Sequence, residues 1–117
     1  MPEIPNLETQ ADGAFSLRAI AYRQAVVLVA GVAQQVTVPT DTASNKKANY
    51  AFFSASAPFY ASYTPTGQAD VAAAVPAANI TDGTAPDLSP TVRKVRSCDK
   101  IGLISPTDQV VILTFYI

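Results

Sequence analysis

Nine residues constrain this chain more than any others: Gln109 to Ile117, reading QVVILTFYI. Seven of the nine are apolar, and β-branched and aromatic types dominate, which is the composition of a strand. An ordinary half-buried strand alternates apolar with polar residues, and this one does not. Extended, it sends Val111, Leu113, Phe115 and Ile117 one way. Val110, Ile112 and Tyr116 go the other way, with Thr114 the one polar residue among them. Such a strand needs cover on both faces, from a second layer, a loop or another subunit. It reads as a central strand of a β-sandwich, with the rest of the chain supplying neighbours and cover.

The remaining sequence has the rhythm of short strands and turns. Nine prolines and scattered Thr, Ser and Asp interrupt it at short intervals, and 117 residues suit one domain. Residues 1–13 (MPEIPNLETQADG) hold two prolines and no periodicity, and read as an extended arm. Ala14 to Arg23 suits a strand, with a short helix as the competing reading. Ala25 to Ala30 and Gln34 to Pro39 are strands around Gly31-Val32-Ala33, the pattern of a hairpin. Asn49 to Ala55 and Phe59 to Thr64, joined by Ser56-Ala57-Pro58, suggest a second hairpin. Its aromatic residues are core candidates, because each ring buries so much area. The stretch 65–90 is irregular. Gln68 to Val75 has room for a helical turn or two before Pro76, and Asp82-Gly83 is a turn pair. A loop of this length is expected to lie against the sheet or a neighbour. Thr91 to Arg96 and Ser97 to Ser105 lead into the final strand. The expected fold is all-β: a single β-sandwich or jelly-roll-like domain over 14–117, of about seven or eight strands, behind the arm 1–13.

No catalytic chemistry stands out. The chain has no histidine, the commonest general base, so Ser-His-Asp and Cys-His arrangements are impossible. No phosphate-binding glycine loop or nucleophile elbow occurs. Cys98 is alone, which rules out an intrachain disulfide and reads as a half-buried strand residue. Asp82, Asp87 and Asp99 are too scattered for a calcium loop. The expectation is a non-enzyme without cofactor or metal. Residues 1–5 carry neither the basic nor the apolar region of a secretory leader, and the longest apolar run is too short for a membrane helix.

Charge narrows the partners. Charged residues are 15% of the chain, against about 25% in typical domains, and such surfaces often sit against something. A net charge of −1 argues against nucleic acid. Half of the basic residues, Arg93, Lys94, Arg96 and Lys100, fall within eight positions. They read either as a contact to an acidic partner or as guards on an exposed edge strand. The candidate partner interface is therefore Ile4 and Leu7 of the arm with Arg93, Lys94 and Arg96.

The order of these segments is itself informative. AVVLVAGVAQQVTVP is followed by ANYAFFSASAPFYASY, then by a small-residue loop AAAVPAANITDGTAPDLSP, then by KIGLISPTDQVVILTFYI. Across about residues 25–117 this resembles the small all-β structural proteins of tailed-bacteriophage virions. The resemblance implies a subunit, of head decoration (cement) or head–tail accessory type, that stabilises a particle through protein–protein contacts. It implies other virion proteins as partners, homo-oligomerisation, residence in the virion and synthesis in the bacterial host cytoplasm. A carbohydrate- or peptide-binding β-module is the alternative. Its usual stacking platform is tryptophan, which this chain lacks.

The arm yields a test of the assembly expectation. Ordering thirteen residues costs on the order of 13–26 kcal/mol of backbone entropy. Burying Ile4 and Leu7 returns only about 1.5–3 kcal/mol each. The arm therefore needs main-chain pairing along its length, which strand addition to a neighbour supplies. Deleting residues 1–13 is expected to leave a folded β domain that no longer joins its assembly. Circular dichroism reports the fold and co-sedimentation with the particle reports the joining.

Overall fold

The computed structural model describes residues 22–41, 43 and 45–117. The expected arm over 1–13 and the strand-or-helix reading of 14–21 lie outside the described residues. Within them the chain is all-β, with ten strands in antiparallel sheets and no helix. The strands are β1 (Tyr22–Leu28), β2 (Gln34–Thr37), β3 (Thr40–Asp41), β4 (Lys46–Lys47), β5 (Tyr50–Ala55), β6 (Tyr60–Pro65), β7 (Asp87–Leu88), β8 (Val92–Lys94), β9 (Cys98–Ile104) and β10 (Gln109–Tyr116). The excess over the expected count comes from β3, β4 and β7, each two residues long.

Two four-stranded sheets carry the fold. The first runs β1-β10-β5-β8 and the second β2-β9-β6-β7, while β3 and β4 form a separate two-stranded ribbon. β10 lies inside the first sheet, paired with β1 on one side and β5 on the other. Its inner residues Val111, Leu113 and Phe115 are 0%, 0% and 3% exposed. They join one buried cluster fed by both sheets: Leu28, Ala51 and Phe53 from the first, and Val36, Ala61, Ile101 and Leu103 from the second. Each fully buried Leu or Ile here is worth about 1.5–3 kcal/mol of apolar transfer.

Neither of the two expected hairpins exists. β1 and β2 lie in different sheets, and so do β5 and β6. The expected faces are the observed ones, since Val36 and Val38 are buried while Gln35 and Thr37 are exposed. The expected pairing is not observed. Leu28 and Val36 meet the same core from opposite sides, so the link between their strands crosses from sheet to sheet. Gly31 at φ 75° makes that crossing and donates its N–H to the Ser105 carbonyl at 2.9 Å. The 56–58 crossing is held by the side chain of Gln109, which is 8% exposed. Its Oε1 accepts from Ala57 N at 3.1 Å, and its Nε2 donates to Pro58 O at 2.9 Å and to Ser105 Oγ at 2.8 Å. A buried amide this well satisfied fixes both neighbouring links.

The long segment 66–86, between β6 and β7, is a strap laid over the outer face of the second sheet. The helical turn expected over 68–75 does not form, because the sheet takes the backbone groups that a helix would use. Val71 N donates to Thr64 Oγ1 at 2.9 Å, and Val71 O accepts from Gln35 Nε2 at 3.3 Å. Ala73, 3% exposed, rests on Gly102 of β9. A Cβ on Gly102 would stand 3.0 Å from both Ala73 N and Val71 O, so only glycine lets the strap lie this close.

Gly102→Val is therefore expected to lift the strap, at a cost of about 1–3 kcal/mol, the usual range for overpacking. Urea unfolding measures the loss, and limited proteolysis within 66–86 reports the lifting. Unchanged stability with an unchanged digestion pattern would refute the packing assigned to Gly102.

Candidate interaction surfaces

The basic run lies at the edge of the first sheet, on and just after β8. Arg93 is exposed and bonded within its own chain: its Nε donates to Asp87 Oδ2 at 3.0 Å and an Nη donates to Val92 O at 2.7 Å. Asp87 also accepts from the Tyr63 hydroxyl at 2.8 Å. This trio ties the edge strand of one sheet (β8) to the edge strand of the other (β7). Burial, and then the bond to Asp87, push the Tyr63 phenol far above its ordinary range, so it remains a donor. Lys94 places its Nζ 5.9 Å from the centre of the Tyr50 ring. Arg96 is exposed beside the buried Val95. Lys100 bonds Asp70 of the strap at 3.0 Å, an exposed pair worth about 0–1 kcal/mol. The run is thus divided: Arg93 and Lys100 pair with Asp87 and Asp70, while Lys94 and Arg96 are exposed and enter neither of those pairs. Ile4 and Leu7 lie outside the described residues.

The outer faces of the two sheets differ. The second is covered by the strap. The first carries side chains that alternate with the core-facing ones: Arg23, Ala25 and Val27 on β1, Val110, Ile112 and Thr114 on β10, and Ser54 on β5. Register sets Val27 against Val110 and Ala25 against Ile112. Val27 is 66% exposed, Val110 43% and Ile112 42%. Arg23 is the one ionisable side chain in this set, and it borders the aliphatic part. At the other end of the face Phe52 meets Tyr116 edge-to-face at 5.3 Å, and Tyr116 is 7% exposed. The bare part is therefore aliphatic, and sequence reasoning had flagged only that β10 needs cover on this side.

Two clefts lie among the described residues. One, of about 360 Å³, opens along the strap among Ser62, Val71, Val75, Pro76, Ile80 and Pro86. The other, of about 320 Å³, lies between the 56–58 and 89–91 links. Its floor is Phe53 and Phe59, 8% and 2% exposed, so neither ring is free to stack on a sugar. Among the described tyrosines Tyr22 alone is classed as exposed. Among the described residues no three His, Cys, Asp or Glu side chains gather as a metal site, and no helix is long and apolar enough to cross a membrane. Cys98 is half-buried at the start of β9.

A polar cluster anchors the ribbon and the strap to β9. Lys47 Nζ donates to Asp99 Oδ1 at 2.7 Å and to Cys98 O at 3.0 Å, and Gly67 N donates to Asp99 Oδ2 at 2.9 Å. The Lys47 bond, and then the Gly67 amide, hold the Asp99 carboxyl below its usual pKa. Comparison with known proteins brings no match to a family model, to a curated protein or to a solved structure.

The Asp99 carboxyl gives a pH test. Its folded pKa is depressed, so the unfolded chain takes up the proton first as pH falls. Its contribution is complete above the ordinary carboxyl range, about pH 4, and is lost as pH drops through the lower folded value. Asp99→Asn is expected to lower the melting temperature at neutral pH and to reduce its fall between neutral and strongly acidic pH. Melting curves across that range check it; an acid dependence as steep as that of the unsubstituted chain would refute it.

Proposed function

We propose that this chain is a non-enzymatic structural subunit of a tailed-phage virion, of capsid decoration (cement) or head–tail accessory type, built as a jelly-roll sandwich. Strand order supports the architecture. With the β3-β4 ribbon set aside, the eight remaining strands, numbered one to eight along the chain, follow the order 1-8-3-6 in one sheet and 2-7-4-5 in the other. Two Greek keys wound together, as in viral capsid and lectin domains, would give that order. Fold alone does not choose between those two uses.

The observation that carries the choice is the aliphatic face around Val27, Val110 and Ile112. It exposes branched side chains on adjacent strands, bordered by Arg23, on a chain already poor in charge. Contiguous apolar surface of this kind marks protein contact. The carbohydrate-binding alternative draws less support, since the rings beneath the end cleft are buried and tryptophan is absent. Other virion proteins, major capsid or head–tail, are the partners this reading names. Lys94 and Arg96 stand ready for an acidic rim, a contact that salt would weaken.

Replacing Val110 and Ile112 together by Lys is the test. Both side chains are partly solvent-facing, so the double variant is expected to keep its circular dichroism spectrum. It is also expected to drop out of virions produced with it, as read by mass spectrometry of purified particles. Incorporation equal to that of the unsubstituted chain would remove this face from the reading. Absence of the unsubstituted chain from purified virions would overturn the reading itself.

A further inference from the structure

The described charges are unevenly placed. One end of the first sheet is marked by Leu28 opposite Gln109, the other by Tyr116 opposite Tyr50, which in turn faces Lys94. Lys94 and Arg96 lie at the Tyr116 end, on β8 and just after it. The ribbon brings Lys46 to the same end, since Asn49, two residues past β4, donates its N–H to Tyr116 O at 2.7 Å. At the far end stands Asp108, which accepts from Ala30 N at 2.8 Å. Three other cations are matched to acids: Lys47 to Asp99, Arg93 to Asp87 and Lys100 to Asp70. Lys46, Lys94 and Arg96 are exposed and belong to no ion pair among the described residues. Asp41, opposite Lys46 on the ribbon, has another interaction of its own, as has Arg23. The Tyr116 end therefore carries three cations without an acid bonded to them.

We propose that this end binds the acidic segment 1–13 of a second copy, and that two copies exchange these segments about a two-fold axis. Charge complementarity names the occupant. Residues 1–13 hold Glu3, Glu8 and Asp12, three of the nine acids of the chain, and no Lys or Arg. The described chain begins at Tyr22, opposite Phe115, so the segment joins the fold at the same end as the three cations. Residues 14–21 connect the two, and eight residues reach at most about 26–29 Å, enough to cross to a neighbour. Two copies meeting by these ends each offer one basic patch and one acidic segment, so the contact closes on itself.

Supply and demand match in number and in layout. The acids are spread along the segment, and the cations are spread over β4, β8 and the link after β8, one for each acid. Nucleic acid fits this end less well. It calls for a broad basic face with rings free to stack on bases. The ring beside these charges, Tyr50, is half-buried with Lys94 Nζ 5.9 Å from its centre.

Opposite charges steer the two copies together and fix how they meet. Exposed ion pairs are individually weak and screened by salt, so the dimer is reversible and depends on both concentration and ionic strength. This deepens the structural-subunit reading, resting on it only for the use of the contact, by naming what the acidic rim opposite Lys94 and Arg96 is. It is tested on the isolated full chain through the patch and the segment, whereas incorporation was tested through Val110 and Ile112, so the two can fail separately.

Sedimentation velocity of the full chain is expected to show a monomer–dimer equilibrium at low salt, weakened several-fold at high salt. Replacing Lys94 and Arg96 together by Glu is expected to weaken the dimer several-fold at low salt, and so is replacing Glu3, Glu8 and Asp12 together by Lys. Mixing the two variants sets reversed patch against reversed segment in one contact and native patch against native segment in the other. The mixture is expected to restore the dimer, which also shows that both variants fold. A synthetic peptide of residues 1–13 supplies a readout independent of the variants: it is expected to compete with the dimer of the unsubstituted chain. A chain monomeric at every concentration, a dimer indifferent to salt or to either reversal, or a mixture that stays monomeric would each overturn the inference. Tighter binding of a DNA oligonucleotide than of the peptide, lost on reversal of Lys94 and Arg96, would overturn it in favour of nucleic acid.

Discussion

The architecture depends on the burial of β10 between β1 and β5. Its inner side chains have almost no solvent exposure and touch residues contributed by both sheets. Remove that strand and the first sheet loses its middle: β1 has no other partner among the described residues, and β5 keeps only the short β8. Gln109, at the start of β10, extends the same control to the sheet crossings. One amide side chain bonds the 56–58 link and Ser105 together, so the strand that fills the core also aligns the links around it.

Much of this was legible one residue at a time, and little of it two at a time. Alternation placed Val36 and Val38 inward correctly, and the apolar run 109–117 announced an interior strand. Pairing escaped, because a glycine turn between two strands looks the same whether the strands lie side by side or face each other across a core. What separates the cases is the partner on the far side. For β1 that is β10 and for β2 it is β9, both more than sixty residues away in sequence. The strap was legible as a long alanine-rich loop, but its seat on Gly102 was not. Nothing local marks that glycine, whose role appears only when Ala73 arrives from elsewhere.

The candidate surfaces divide in the same way. Clustering of Arg93, Lys94 and Arg96 is visible in the sequence, and lysine and arginine in such a run suit an exposed sheet edge. The bond of Arg93 to Asp87 was not visible, since it requires β7 and β8 to lie at matching edges of different sheets. The aliphatic face was half visible. The need for cover on β10 was read, while the contribution of Val27 required the register of β1 against Val110.

The crossing of nearly every link from one sheet to the other has a consequence for synthesis. As the chain leaves the ribosome, β1, β2, β5 and β6 appear in turn without their main partners, which are β10 for the first sheet and β9 for the second. Local contacts offer little in the meantime, and pairing at such sequence distance is slow and exposes apolar strands while it waits. Closure comes late and nearly at once, when the last two long strands arrive together. A chain ordered in this way holds a sticky, incomplete sheet for most of its translation. Its sparse charge gives that nascent state little protection against association.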